Sequence, residues 1–278
     1  MLTFGTDRVA FVTGAARGQG RSHAVMLAKQ GVSIVAVDIC APVETVPYKA
    51  STKQDLDTTV GLIKAEGVDA IGIIADVRDL EAMKSAAAQG LEHFGRIDYL
   101  VANAGILSLA GKVHEFDAET WQTMIDVNLT GVFNAARAVL PAMLDAGFGR
   151  IVATTSGTVR HTGMHVAHYA AAKAGVLSVI KSVAIEYADK NIRANTVSPS
   201  NVGTDMILND AVYRLYYPDK ANPTLEDVMP RFASIHATGN AYVEPVDISY
   251  AVAYLLSDQS QWITGIELPV LAGRTGGF

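Results

Sequence analysis

The sequence predicts a doubly wound α/β fold in a single domain: a seven-stranded parallel sheet with helices on both faces. Three observations predict it. Short runs rich in Val and Ile alternate with helix-period segments along the chain, the first strand-to-helix turn is built of glycines, and no linker, internal repeat or low-complexity tract divides the 278 residues. Continuous apolar runs suit strands buried on both faces, and a strand that returns parallel to its neighbour needs a crossover helix.

The strands fall at Arg8 to Val12, Ser33 to Val37, Ala70 to Ala75, Ile97 to Ala102, Arg150 to Thr155, Ile192 to Val197 and Ile266 to Val270. Between them, Ser22 to Gln30, Leu56 to Glu66, Glu81 to Phe94, Ala118 to Asp145, Tyr169 to Asp189 and Asp247 to Ser257 repeat apolar residues at three and four, as helices with one buried face do. Two segments break the alternation. Cys40 to Lys53, with Pro42 and Pro47, delays the helix after the second strand; Asp205 to Tyr242, with three prolines and several aromatics, separates the sixth strand from the last helix. Loops this long in a compact domain are functional or disordered, and their apolar content favours ordered covers. The first is read as an inserted cover over residues 40–53, the second as a substrate-side lid region over 205–242. Tyr213, Tyr216, Tyr217 and Phe232 suit either a lid over an apolar substrate or an oligomer contact.

Composition excludes several classes. Half of the residues are hydrophobic and 18% are charged, the net charge is -6, and Cys40 is the one cysteine. A lone cysteine cannot frame a disulfide-stapled module, and an acidic balance without a basic cluster gives no footing for nucleic acid. Every apolar stretch is interrupted before the roughly 18 residues that span a bilayer, and Met1 to Val12 lack a basic segment followed by an apolar one. A cytoplasmic protein is expected.

The chemistry begins at Thr13-Gly14-Ala15-Ala16-Arg17-Gly18-Gln19-Gly20, where the first strand turns into a helix beginning near Arg21. Glycines there make a tight turn and let the backbone approach a pyrophosphate held at the helix N-terminus, the Rossmann dinucleotide site. Asp38 ends the second strand, where a carboxylate accepts the adenosine ribose hydroxyls and repels a 2'-phosphate, so NAD is favoured over NADP. Arg17 pulls the other way, and Asp38 has the alternative of a turn former. Tyr169 and Lys173, four apart, share a helix face, so the ammonium can lower the phenol's pKa for acid/base work. Ser156, at another strand's carboxyl end, could orient a substrate oxygen, and Asn128 is an amide inside an apolar helix run. His161, His165 and His168 have no acidic or cysteine companion nearby, so they are read as a polar loop at the pocket rim and no metal is expected. Cys40 is read as a small core residue.

Thr13 to Gly20, Asp76-Val77, Asn103-Ala104-Gly105, Asn128, Ser156, Tyr169 with Lys173, and Pro199 to Thr204 stand in the order and spacing of the short-chain dehydrogenase/reductase family, which the chain resembles over nearly its whole length. The resemblance implies that Tyr169 exchanges the proton, Ser156 positions the oxygen, Lys173 binds the nicotinamide ribose and tunes Tyr169, and Asn128 holds a relay water. It further implies cofactor contacts at Gly14, Arg17, Gly18, Gln19 and Gly20, at Asp38 and Ile39, at Asp76 and Val77 beside the adenine, at Asn103, Ala104 and Gly105, and at Pro199, Val202 and Thr204 around the carboxamide. A homotetramer is also implied. One departure stands out: the family's Pro-Gly is Pro199-Ser200 here, which leaves the loop geometry near the nicotinamide open.

Arg17 to Ala24, Asp38 to Pro42, Thr45 to Tyr48, Asn222-Pro223-Thr224 and Leu268-Pro269-Val270 resemble more narrowly the mycofactocin-coupled, carveol dehydrogenase-like subgroup. That subgroup retains its NAD and passes electrons to a peptide-derived redox carrier. The resemblance implies oxidation of a secondary, cyclic or terpenoid alcohol. A generic enzyme exchanging free NAD(H) is the alternative; an NAD-binding regulator, a third reading, should have lost Tyr169 or Lys173.

Overall fold

The computed structural model describes residues 2–109 and 111–274. Strands β1 (Val9–Thr13), β2 (Ser33–Asp38), β3 (Ala70–Ile74), β4 (Tyr99–Ala102), β5 (Gly149–Thr154), β6 (Ile192–Pro199) and β7 (Glu267–Val270) form one sheet in the order β3-β2-β1-β4-β5-β6-β7, every pair parallel. The seven expected strands are all present, shifted by a residue or two. In β1 alternate residues serve opposite faces: Val9 and Phe11 join one core, Ala10 and Val12 the other. Helices α3 (Leu80–Phe94), α4 (Ala118–Ile125), α5 (Gly131–Ala146) and α6 (Ala167–Glu186) cover the first face; α1 (Gly18–Ala28), α2 (Lys53–Ala65) and α9 (Pro245–Leu256) cover the second.

Two expectations need correction. The first helix starts at Gly18 rather than near Arg21, because glycine's poor helix propensity hides the true first turn. The late segment is not loop throughout: it holds α7 (Asp210–Tyr216), capped by Asn209 on Val212 N–H at 3.1 Å, and α8 (Leu225–Ser234), started by the Thr224–Asp227 capping box. Around them Val212, Tyr213, Val228, Phe232 and Ala241 form a third apolar cluster. The run Ala118–Ala146 is one helix, as expected, interrupted by a π turn at Asp126–Thr130, and an 18-residue window within it has mean hydropathy 1.2. Its apolar stripe faces inward: Met124, Val132, Ala135, Val139 and Met143 are buried in the first core.

The sheet order reverses between β1 and β4, so the loops leaving their carboxyl ends part there and open a cleft.

Candidate active site

A cavity of about 500 Å³ fills this cleft, and every residue proposed for the site lines it except Gly20 and Asn128, which stand behind the wall. Gly14 has φ +67°, and a Cβ there would sit 2.8 Å from Ala104 Cα; a Cβ on Gly20 would sit 2.0 Å from Gly14 O. No other residue type fits either place. Helices α2, α3 and α4 begin with side-chain caps from Thr52, Asp79 and Asp117, whereas α1 begins at Arg17 with no side-chain cap and no acid in its first turn. Its first N–H groups face the cleft, a site suited to a phosphate anion. Gln19 Oε1, an acceptor at the cleft wall, is buried with no partner among the described residues and calls for a donor. Across the cleft, Thr13 Oγ1 accepts from the N–H groups of Asn103 and Ala104, each at 3.1 Å, which holds the Asn103-Ala104-Gly105 loop against the glycine turn.

Asp38 closes β2 as expected and is almost fully buried. Its Oδ2 accepts from Ala16 N–H at 3.0 Å, and its Oδ1 accepts from Cys40 N–H at 3.0 Å and from Ser51 Oγ at 2.6 Å. Sequence reasoning missed Ser51, which lies thirteen residues away. Arg17 forms an ion pair with Asp205 at 2.8 Å, so its charge is engaged across the cleft mouth. Asp76 pairs with Arg78 at 2.6 Å, and the Val77 carbonyl accepts from Asn134 Nδ2 at 2.9 Å, fixing both residues at the cavity edge. Cys40 packs at the edge of the second core, half-buried at φ +49°, and burial, aided by Asp38, pushes its thiol up to about 11. The segment it opens lies over the cleft. Val43 and Val46 pack on the first core, and Tyr48 Oη accepts from Leu107 N–H at 3.2 Å, beyond β4.

Ser156 follows β5, and its Oγ accepts from Thr158 N–H at 3.2 Å. A further hydrogen bond joins it to Tyr169 on α6. Burial pushes the Tyr169 phenol up, opposed by the Ser156 bond and the Arg274 charge. Lys173 Nζ donates to Thr154 O at 2.9 Å and stands 5.8 Å from the Tyr169 ring centre, and burial lowers it to about 8. The two side chains share the helix face that their spacing predicts. Asn128 sits in the π turn, a kind of defect frequent at functional sites. Its Oδ1 accepts from Ile106 N–H at 3.0 Å and its Nδ2 donates to Ile106 O at 2.9 Å, so both ends brace the loop beside Lys173.

Residues 8–211 match the short chain dehydrogenase family model. The chain belongs to that family. It is 40% identical over 269 residues to (-)-trans-carveol dehydrogenase of Rhodococcus erythropolis, covering 96% of this chain and 97% of the relative. Among solved structures, carveol dehydrogenase from Mycobacterium avium in complex with NAD superposes with a TM-score of 0.95 at 44% identity, covering 96% of this chain and 97% of that one. A short chain dehydrogenase from Mycobacterium paratuberculosis bound to NAD gives 0.87 at 33% identity, with the same coverage.

For a short-chain dehydrogenase the serine after Pro199 is unusual, and the structure shows what it does. Ser200 Oγ lies 2.6 Å from His236 Nε2, and His236 Nδ1 lies 2.6 Å from Asn240 O. A carbonyl only accepts, so Nδ1 donates to Asn240 O, and in the neutral ring Nε2 then accepts from Ser200 Oγ. The nicotinamide-side loop is thereby clasped to the late segment; no local signal at Ser200 pointed to His236. The three upstream histidines do not behave as one rim loop. His168 is buried in the first turn of α6, 3.1 Å from Ser108 Oγ and edge-on to Phe116, and the described residues contain no group of three or more metal-ligating side chains. The cleft's residues fit NAD, which the uncapped α1 would hold by its pyrophosphate, Asp38 by the adenosine ribose, and Lys173 with Thr204 at the nicotinamide end.

Proposed function

We propose that this NAD-dependent short-chain dehydrogenase oxidises a secondary, cyclic or terpenoid alcohol of the carveol kind, keeps its NAD throughout, and yields the electrons to an external peptide-derived carrier of the mycofactocin type. The observation that carries the substrate class is the chamber beside Tyr169 and Ser156. Leu107, Leu109, Met164, Met206, Ile207 and Tyr216 line it, an apolar shell around a few polar groups, as suits a ring of carbons with one carbinol.

Bound NAD supplies the acceptor of the carbinol's hydride. Ser156 Oγ, held by Thr158 N–H, orients the carbinol oxygen, and Tyr169 Oη takes its proton. Lys173 Nζ, lowered by burial to about 8 and carried on the same helix as Tyr169, is placed to relieve the phenol. Asn128 keeps that route aligned by bracing the Gly105–Leu107 loop beside the ammonium. The cover over residues 40–53 supports retention, because Tyr48 spans from the adenosine side to the loop after β4.

The test uses protein purified without added nucleotide and dialysed extensively. We expect NAD to remain bound, an artificial electron acceptor to sustain oxidation of cyclohexanol, and added NAD to be without effect. Rapid exchange of NAD, with turnover that needs only the free nucleotide, would establish the generic alcohol dehydrogenase instead. We also infer a homotetramer. Exposed large apolar side chains support it: Trp262 at 89% and Ile185 at 81% exposure, with Trp121 on α4 and Phe133 on α5. Light scattering should read four chain masses; a monomer would remove the inference.

A further inference from the structure

Residues 103–109, which leave the carboxyl end of β4, form neither helix nor strand, yet they make one wall of the cavity beside Tyr169. Irregular backbone of this kind keeps its place through the contacts that tie it down. Ile106, Leu107 and Ser108 are tied in turn to three separate parts of the chain. Both backbone groups of Ile106 bond Asn128 in the π turn, Leu107 N–H donates to Tyr48 Oη of the cover at 3.2 Å, and Ser108 Oγ lies 3.1 Å from His168 Nε2 in the first turn of α6. The first two ties serve the proton route and the cover. The third serves neither.

Ser108 is 1% exposed and His168 is fully buried. Both stand behind the wall, while the residues beside them face the cavity: Leu107 and Leu109 from the loop, Tyr169 from the helix. Phe116 stands edge-on to the imidazole with ring centres 4.7 Å apart, so the ring is fixed from the side as well. Burial holds His168 below the ordinary histidine value, so the pin joins a hydroxyl to an uncharged ring and adds no charge to the apolar wall. Leu107 and Leu109 also pack against the third apolar cluster, built on Val212, Tyr213, Val228 and Phe232 of the late segment. The wall that Ser108 holds is therefore also the seat on which that segment rests.

We propose that His168 is a positioning residue for substrate choice: by pinning Ser108 it fixes Leu107 and Leu109, with the late segment seated on them, at one distance from Tyr169, so that the chamber selects alcohols by ring size. The proposal rests on the dehydrogenase reading of the same chamber. Without the pin the two leucines keep their apolar contacts but lose their register against Tyr169. The favoured ring then binds less well, while proton transfer from a ring already bound is unaltered.

The test is calorimetric titration of the NAD-loaded protein with cyclopentanone, cyclohexanone and cyclooctanone, alongside oxidation of the matching alcohols with an artificial electron acceptor. The parent should favour one ring size. His168→Phe keeps an aromatic ring against Phe116 and removes the pin; it should weaken the favoured ring about fivefold, as the loss of one hydrogen bond implies, raising KM with kcat within about twofold of the parent. Ser108→Ala removes the other end of the same bond and should match it, and the double variant should lose no more than either single one. His168→Gln, whose amide can still reach the hydroxyl, should restore part of the preference. Bound NAD should survive dialysis in every variant. A parent that binds no ring or all three alike, a preference that survives Ser108→Ala, losses that add in the double variant, or a fall in kcat at unchanged KM overturns the proposal. Should His168→Phe fail to fold, Ser108→Ala decides alone. The ketone titration separates the two readings. If the preference is present in the parent and lost in Ser108→Ala while no cyclic alcohol is oxidised, the pin stands and the dehydrogenase reading fails; if cyclohexanol is oxidised and the preference survives, the dehydrogenase stands and the pin fails.

Discussion

Tyr169→Phe should lower alcohol oxidation by about 10² to 10⁴-fold, the usual contribution of a positioned proton acceptor, while bound NAD survives dialysis. The substitution keeps the ring, and the loss to the fold is the one hydrogen bond with Ser156, about 1 kcal/mol. The base form of the phenol is the one that accepts a proton, and burial holds the proton on, so the parent enzyme's oxidation should accelerate as pH rises. The Phe variant should lose that rise along with the rate. Lys173→Met should behave differently, losing bound NAD as well as turnover, because the buried ammonium is placed at both the ribose side and the phenol. Steady-state rates and nucleotide content of the dialysed proteins read both. Near-normal turnover of the Phe variant would remove Tyr169 from the proton-accepting role.

Replacing Ala41 to Ser51 by a short glycine-containing turn should release NAD into the dialysate. The segment contributes Tyr48 to the Leu107 N–H, Ser51 to Asp38, and two valines to the first core. Two hydrogen bonds of about 1 kcal/mol each, with the apolar contacts added, correspond to about a hundredfold or more in dissociation rate. Free NAD should then support turnover that the parent achieves with an artificial acceptor. Loss of nucleotide must occur with cooperative unfolding intact, which calorimetry checks. A variant that holds NAD as firmly as the parent would show the segment to be a surface excursion.

The strands were legible because burial on both faces leaves unbroken Val and Ile runs, and the glycine turn because Gly14 and Gly20 sit where no side chain fits. The late helices were obscured by Pro218, Pro223 and Pro230, although Asn209 and the Thr224–Asp227 pair were signals that could have located them. At the site, Ser156, Tyr169 and Lys173 were readable from position relative to strands and from helix spacing. Ser51, His236 and Arg274 were not, because their partners lie 13, 36 and 113 residues away and only the fold brings them together. Spacing also cannot report burial, which pushes the Tyr169 phenol up and Lys173 down.

The π turn at Asp126–Thr130 sets how this stretch of the gene answers to changes in length. An α-helix rotates by about 100° for every residue, whereas a π turn takes up one extra residue within a single widened loop. Removing one residue between Asp126 and Thr130 would therefore let a plain α-helix run on with Met124 and the stripe from Val132 to Met143 still facing the sheet, while the widened loop that lets Asn128 reach the Ile106 backbone would be lost. A deletion elsewhere in Ala118–Ala146 has no such loop to absorb it and would turn the stripe away from the sheet. Length variants recovered from random libraries should therefore fold with one residue missing from these five positions but not from the rest of the helix, and those that fold should have lost the proton route.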